Sequence, residues 1–137
     1  MSIFPTESQL RELQALPAGE PVVMLNLLRF KERAGAPDEG LSGREAYERY
    51  GREAAPFLAK VGGRMLNGVL ARQVVIGPEG EWDMALLVEY PSAQRFLEMA
   101  SDPGYLEVHA HRDAALADSR LIASTLIGPE LVGPELA

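Results

Sequence analysis

Apolar residues recur along this chain in two different periods, and the places where the period changes order its elements. After Thr6, "ESQLRELQAL" sets Leu10, Leu13 and Leu16 on one side of a helix, which predicts a capped helix over about 6–16, closed by Pro17 and Gly19. "PVVMLNLLRF" (21–30) is an unbroken apolar run rich in β-branched residues; it predicts a strand buried on both faces. The charged, Gly- and Pro-containing "KERAGAPDEGL" (31–41) reads as a mobile loop. Ser42 and Glu45 form a capping box, and Tyr47, Tyr50, Ala54, Phe57 and Val61 follow as one helical stripe. Pro56 should kink that helix or end its regular bonding, and Gly62 and Gly63 end it. "RMLNGVLARQVVI" predicts a second strand with Gly68 as the candidate bulge, "GPEG" a turn, and "WDMALLVEY" a third strand ended by Pro91. Ser92 caps "AQRFLEMA", and Asp102 with Pro103 restarts a helix that should run to about Asp118. "SRLIASTLI" supplies the last strand; the twice-repeated Gly-Pro-Glu-Leu of the tail makes 129–137 an extended C-terminal arm.

The order is strand, helix, strand, strand, helix, strand behind one extra helix. That is an α+β, ferredoxin-like βαββαβ sandwich, one domain over 1–137 with its core at about 20–128. Such a sheet carries helices on one face only, yet Val23, Leu25 and Leu27 alternate with Val22, Met24 and Leu28. The uncovered apolar face predicts a homodimer packed sheet to sheet.

Composition narrows the function more than it names one. The 137 residues suffice for a core without staples, and the absence of cysteine removes disulfides, thiolate metal sites and thiol catalysis together. Twenty acidic residues against 13 basic ones, the latter scattered singly, give a net charge of -7 and disfavour nucleic acid as a partner. No leader-like or membrane-spanning run is evident, so a soluble, cytoplasmic protein with no membrane partner is expected.

Candidate chemistry gathers near the end of the chain. His109 and His111 are the only histidines; on a helix, residues two apart diverge by about 200° and cannot share one ion, so no metal site is expected. Tyr105, Val108, His109, Arg112 and Leu116 share one face of the same helix, with His111, Glu107, Ala114 and Asp118 on the opposite, solvated one. Among strand residues, Asn26, Arg64, Asp83 and Glu89 are the polar exceptions. Asp83, Ala85, Leu87 and Glu89 form the smaller, more polar face of the third strand and are assigned to the cavity side, where Arg112 is expected to pair with Glu89. The ordinary reading of each residue stands beside this one: an amphipathic core edge for Tyr105 and His109, a structural tie for Arg112, backbone satisfaction for Asn26.

Four stretches also carry a family likeness: "VMLNLLRFK", "YERYGREAAPFLAKVGGRML", "WDMALLVEYPS" and "DPGYLEVHAHR". In that order, across about 22–127, the chain resembles the bacterial domain-of-unknown-function family 1330, of the dimeric α/β-barrel superfamily. The resemblance implies a dimeric barrel and a cavity, in a superfamily that includes cofactor-free monooxygenases acting on phenols, muconolactone-type isomerases and haem-handling proteins. The expectation is a protein that binds a small organic acid or phenol, without cofactor, as a monooxygenase-like or isomerase-like enzyme. Its candidate site residues are Asn26, Tyr50, Arg64, Glu89, Tyr105, His109 and Arg112. The alternative is a non-catalytic dimeric interaction module, and whether the protein is an enzyme stays open at this level.

Overall fold

A computed structural model describes residues 5–128. Four helices and four strands follow in the order α1 (Glu7–Gln14), β1 (Val22–Phe30), α2 (Gly43–Lys60), β2 (Arg64–Leu70), β3 (Met84–Tyr90), α3 (Ala93–Ser101), α4 (Pro103–Ala115) and β4 (Leu116–Ser124). The strands form one antiparallel sheet ordered β2-β3-β1-β4. The ferredoxin-like α+β expectation therefore holds, with the extra helix in front. The most apolar strand, β1, takes a central place with partners on both sides, as a strand without charged edge protection should.

Register sorts the side chains into two faces. Met24 pairs with Val88 and Ala123, Asn26 with Leu86 and Leu121, and Leu28 with Met84 and Ser119, so these residues form three rows across one face. That face meets the helices. At one end Val22, Met24, Ala54, Val61, Tyr90, Met99 and Tyr105 make one buried cluster. At the other, Leu28, Ala34, Ala46, Tyr47, Ala115 and Leu116 make a second. Tyr50 packs against both.

The helices start where the side chains can cap them. Thr6 and Ser42 each close a capping box, with Gln9 and Glu45 respectively, satisfying N–H groups that have no partner within the helix. Asp102 ends α3 and begins α4, its Oδ1 accepting from the Gly104 N–H at 2.9 Å with Pro103 in the first turn. Pro56 lies within α2, which continues to Lys60.

Four expectations need correction. The last helix stops at Ala115, not near Asp118, because Leu116 turns extended (φ -102°, ψ 129°) and pairs with Phe30 as β4 begins. The second strand stops at Leu70, and the irregularity in its pairing falls between Met65 and Asn67 rather than at Gly68. Residues 31–41 are not a free loop: Lys31 and Gly35 donate to the Ala115 and Ala114 carbonyls, Ala34 donates to Leu41, and Asp38 is buried. Gly43 makes this closure possible, since a β-carbon there would collide with the Lys31 and Ala115 backbones. Finally, His111 and Ala114 are buried beneath that segment rather than solvated. The expected C-terminal arm lies outside the described residues. Among the described residues no helix is long and apolar enough to cross a membrane.

Candidate functional site

Between the helix-facing side of the sheet and α1, α2, α3 and α4 lies a cavity of about 1180 Å³. All four tyrosines of the chain line it: Tyr47 and Tyr50 from α2, Tyr90 from β3 and Tyr105 from α4. The i, i+3 spacing of Tyr47 and Tyr50 turns both toward the sheet, and their rings meet at 5.4 Å between centroids. Tyr50 and Tyr105 join hydroxyl to hydroxyl at 2.7 Å, tying α2 to α4 across the cavity. The Tyr90 hydroxyl is directed at the Met99 sulfur, 4.0 Å away.

Arg112 enters the same space from α4 and is 6% exposed. Its guanidinium faces the Tyr47 hydroxyl and is close enough to oppose the upward pull of burial on all four phenols. Burial wins: the Tyr47 pKa is pushed up to about 12, and those of Tyr50, Tyr90 and Tyr105 also rise. All four hydroxyls therefore stay protonated near neutral pH, able to donate hydrogen bonds rather than to act as bases. Among the described residues, no carboxylate forms an ion pair with Arg112.

His109 lies one turn before Arg112 and also lines the cavity. Its Nδ1 is 3.3 Å from Asp113 Oδ1, one turn further along the helix. Burial lowers its pKa, and the neighbouring Asp113 carboxylate opposes that shift. Asn26, buried in the middle row of the sheet, donates from Nδ2 to the Met24 carbonyl at 3.2 Å and still lines the cavity. So the backbone-satisfying reading of Asn26 and the cavity reading both apply.

Five of the seven sequence-derived site residues thus converge: Asn26, Tyr50, Tyr105, His109 and Arg112. Arg64 and Glu89 do not. They are cross-strand partners on the opposite face of the sheet, where Arg64 Nε lies 3.0 Å from Glu89 Oε1. The assignment of Asp83, Ala85, Leu87 and Glu89 to the cavity side is therefore reversed, as is the expected pairing of Arg112 with Glu89. The bulkier set of Met84, Leu86, Val88 and Tyr90 faces the helices, because helices set over a sheet leave a deep space that large side chains must fill. Asp83 instead locks strand ends, its Oδ2 accepting from the Phe30 N–H at 2.8 Å.

A second polar cluster has no counterpart in the sequence reading. His111 Nδ1 lies 2.7 Å from Asp38 Oδ2, Arg49 Nη1 lies 3.1 Å from Asp38 Oδ1, and Glu53 Oε1 lies 3.5 Å from His111 Nε2. The Asp38 side chain is fully buried. This cluster sits on the far side of α2 and α4 from the cavity and fastens residues 31–41 to both helices. Nothing local in "GAPDEG" distinguishes Asp38 from Glu39 as the buried acid. Tyr47, Tyr90 and Ser119 also line the cavity, outside the seven candidate residues.

The model of the family described as "Domain of unknown function (DUF1330)" matches residues 41–125. The chain belongs to the DUF1330 family. The match begins after β1, whose "VMLNLLRFK" had contributed to the likeness, and takes in all the cavity residues of α2, α3, α4 and β3. A protein of unknown function from Rhodopseudomonas palustris, RPA0582, is 40% identical over 93% of this chain and 98% of that one, with a TM-score of 0.84. A dimeric protein of unknown function with a ferredoxin-like fold from Bacteroides fragilis is 12% identical over 77% of this chain and 96% of that one, at a TM-score of 0.53. SnoaB, a cofactor-independent oxygenase from Streptomyces nogalater, is 17% identical over 80% and 98%, at 0.50. The last two likenesses are of fold alone. No curated protein matches the chain.

Proposed function

We propose that this DUF1330 protein binds a small organic acid or phenol in the tyrosine-lined cavity, with Arg112 as the anion clamp. The observation that carries the reading is a guanidinium buried to 6% exposure that has no carboxylate partner among the described residues. A buried cation without a counter-charge is expensive, and proteins retain one where a ligand supplies the anion. Arginine offers a planar fork suited to a carboxylate, and the protonated Tyr47 hydroxyl beside it adds a donor of the kind a phenolate or carboxylate oxygen accepts. The walls around this polar centre are apolar, the usual division of labour in a small-molecule site.

If the site is catalytic, its chemistry is proton transfer without a cofactor. The phenols are held protonated, so His109 is the cavity group suited to take up a proton near neutral pH, with Asp113 beside its Nδ1. Oxygenase-like or isomerase-like activity would both begin by removing a proton from the bound acid or phenol. The cofactor-independent oxygenase of similar fold supports the first by analogy only.

Pairing of two copies through the open face of the sheet belongs to the same proposal. Val23 is buried within the single chain, and Leu25, Leu27, Ala85 and Leu87 lie half-buried on the same face as Ile122, which is 46% exposed. The dimeric description of the Bacteroides fragilis neighbour supports a second copy there. That face is also what favours the second reading, a dimeric module without a ligand. Calorimetric titration of small carboxylates and phenols into wild-type protein and Arg112→Met decides between them. Binding that vanishes in the variant supports the cavity; a panel that never binds either protein leaves the module.

A further inference from the structure

Resting on the reading of the cavity as an acid-binding site, the distribution of its polar groups identifies which class of acid it takes. Arg112, Asn26, His109 and Ser119 sit together near the middle and Leu28 rows of the sheet. From Asn26 toward Val22 the character changes. Met24, Val88, Phe96 and Met99 line that part, with Leu10 and Leu13 of α1 as the wall opposite.

The hydroxyls that do reach this end are already occupied: Tyr50 and Tyr105 bond to each other, and Tyr90 is turned to the Met99 sulfur. The other polar residues lining this side, Gln9, Glu12 and Ser101, are solvent-exposed, so a second polar group on the ligand would find no buried partner there. The distance is also informative. Along β3 the lining runs from Leu86, in the Asn26 row, through Val88 to Tyr90, four residues of strand or about 13 Å, the span of an extended chain of roughly ten carbons. A cavity of about 1180 Å³ is far larger than a compact acid requires.

The helix α1 supplies an independent observation. None of its residues is buried, although Leu10 and Leu13 are turned toward the cavity. Leu13 packs against the Met24 cluster only in part, so the stripe borders a space, and its burial is completed by whatever fills that space.

We infer that the cavity takes an amphiphilic monocarboxylate, with its carboxylate on Arg112 and an unbranched or aryl-alkyl body of roughly eight to twelve carbons lying along Met24 and Val88 beneath α1. Affinity then comes mainly from the apolar body, and the arginine selects the head group.

The test is calorimetric titration of the full chain with hexanoate, octanoate and decanoate below their micellar concentrations, alongside benzoate, 4-hydroxybenzoate and decan-1-ol. Affinity should rise about three- to fourfold per added methylene. Decan-1-ol should bind at least about tenfold more weakly than decanoate, and Arg112→Met should erase that difference. Leu13→Gln, at a half-buried site on α1, should flatten the chain-length series while leaving benzoate unaffected. If benzoate and 4-hydroxybenzoate bind through Arg112 as tightly as decanoate, with no dependence on chain length, the amphiphile is wrong and the acid site stands. If no acid of either kind binds, the acid site falls and the amphiphile with it.

Discussion

Replacing Arg112 by methionine separates a ligand clamp from a structural tie, because the two roles predict opposite changes in stability. Methionine keeps most of the unbranched stem, so little volume is lost. The guanidinium it removes is 6% exposed and has no carboxylate partner among the described residues. Its burial is a net cost to the unliganded fold, and exchanging buried charge for apolar volume is often neutral or stabilising by about 1 to 4 kcal/mol. The Tyr47 hydroxyl loses its charged neighbour, which returns about 1 kcal/mol. The sum is a variant within about 1 kcal/mol of wild type or more stable than it. Had Arg112 been half of a buried ion pair, the loss would be about 3 to 5 kcal/mol. Binding should move the other way. Losing one charge-assisted hydrogen bond costs about 1.5 to 3 kcal/mol, so affinity for a carboxylate should fall at least tenfold. Urea unfolding with and without decanoate reads both quantities in one experiment. A variant destabilised by 3 kcal/mol or more would show that the arginine has a counter-charge in the folded protein, and the clamp would be refuted.

The 31–41 closure and the His109 site each give an outcome that unfolding measurements can check. His111→Leu should cost about 3 kcal/mol in urea unfolding, the low end for breaking a buried pair because Arg49 still faces the Asp38 carboxylate; an unchanged midpoint would mean that residues 31–41 are held by their backbone bonds alone. Gly43→Ala should cost about 3 kcal/mol, since the added carbon meets the backbones of Lys31 and Ala115 rather than a movable side chain; thermal unfolding at wild-type temperature would refute that close approach. The depressed pKa of His109 has a definite sign: the unfolded chain binds its proton more readily, so this contribution is present above the ordinary histidine value of 6.5 and is lost as pH falls through the lower folded value. Wild type should lose stability relative to His109→Gln as pH is lowered from 7.5 to about 5, and parallel stability curves would show that the imidazole is not desolvated.

Much of this arrangement was legible because short-range rules governed it. Ser42 with Glu45, and Asp102 with Pro103, mark helix starts by chemistry contained within four residues, and both helices begin there. The convergence of Tyr50, Tyr105, His109 and Arg112 follows from helical spacing once each helix is known to lie on the sheet. What the pattern does not carry is the side of a strand that faces the helices when both sides are apolar. In β3 the alternation offers two sets, one bulky and one containing Asp83 and Glu89, and polarity is a poor guide to which of them faces a cavity. Glu89 pairs with Arg64 across the strands on the open face, a contact set by a register in which β2 is shifted between Met65 and Asn67. The burial of Asp38 depends on a segment that closes only because Gly43 allows two backbones to touch it.

The same topology explains why a cavity exists at all in a chain this short. Both helix-side clusters are anchored at sheet ends, one by Met24, Tyr90 and Met99 and the other by Leu28, Ala46 and Leu116. Between them, the positions that would close the core carry Asn26, Tyr50, His109 and Arg112 rather than aliphatic residues. Leucines at those positions would join the two clusters into one core and raise stability at about 25 cal/mol for each Å² removed from water. Instead Tyr50 and Tyr105 meet through their hydroxyls, holding α2 and α4 in place at a point where apolar packing alone is incomplete. The open space is therefore maintained by hydrogen bonding across it. A Tyr105→Phe variant should test this directly: it keeps the ring and removes only the hydroxyl, leaving the Tyr50 hydroxyl buried without its partner at a cost of about 1 to 3 kcal/mol. Tyr50→Phe/Tyr105→Phe, which removes both, should recover most of that loss. Urea unfolding of the four proteins measures the coupling between the two hydroxyls, and strictly additive losses would mean that the pair does not hold the two helices in place.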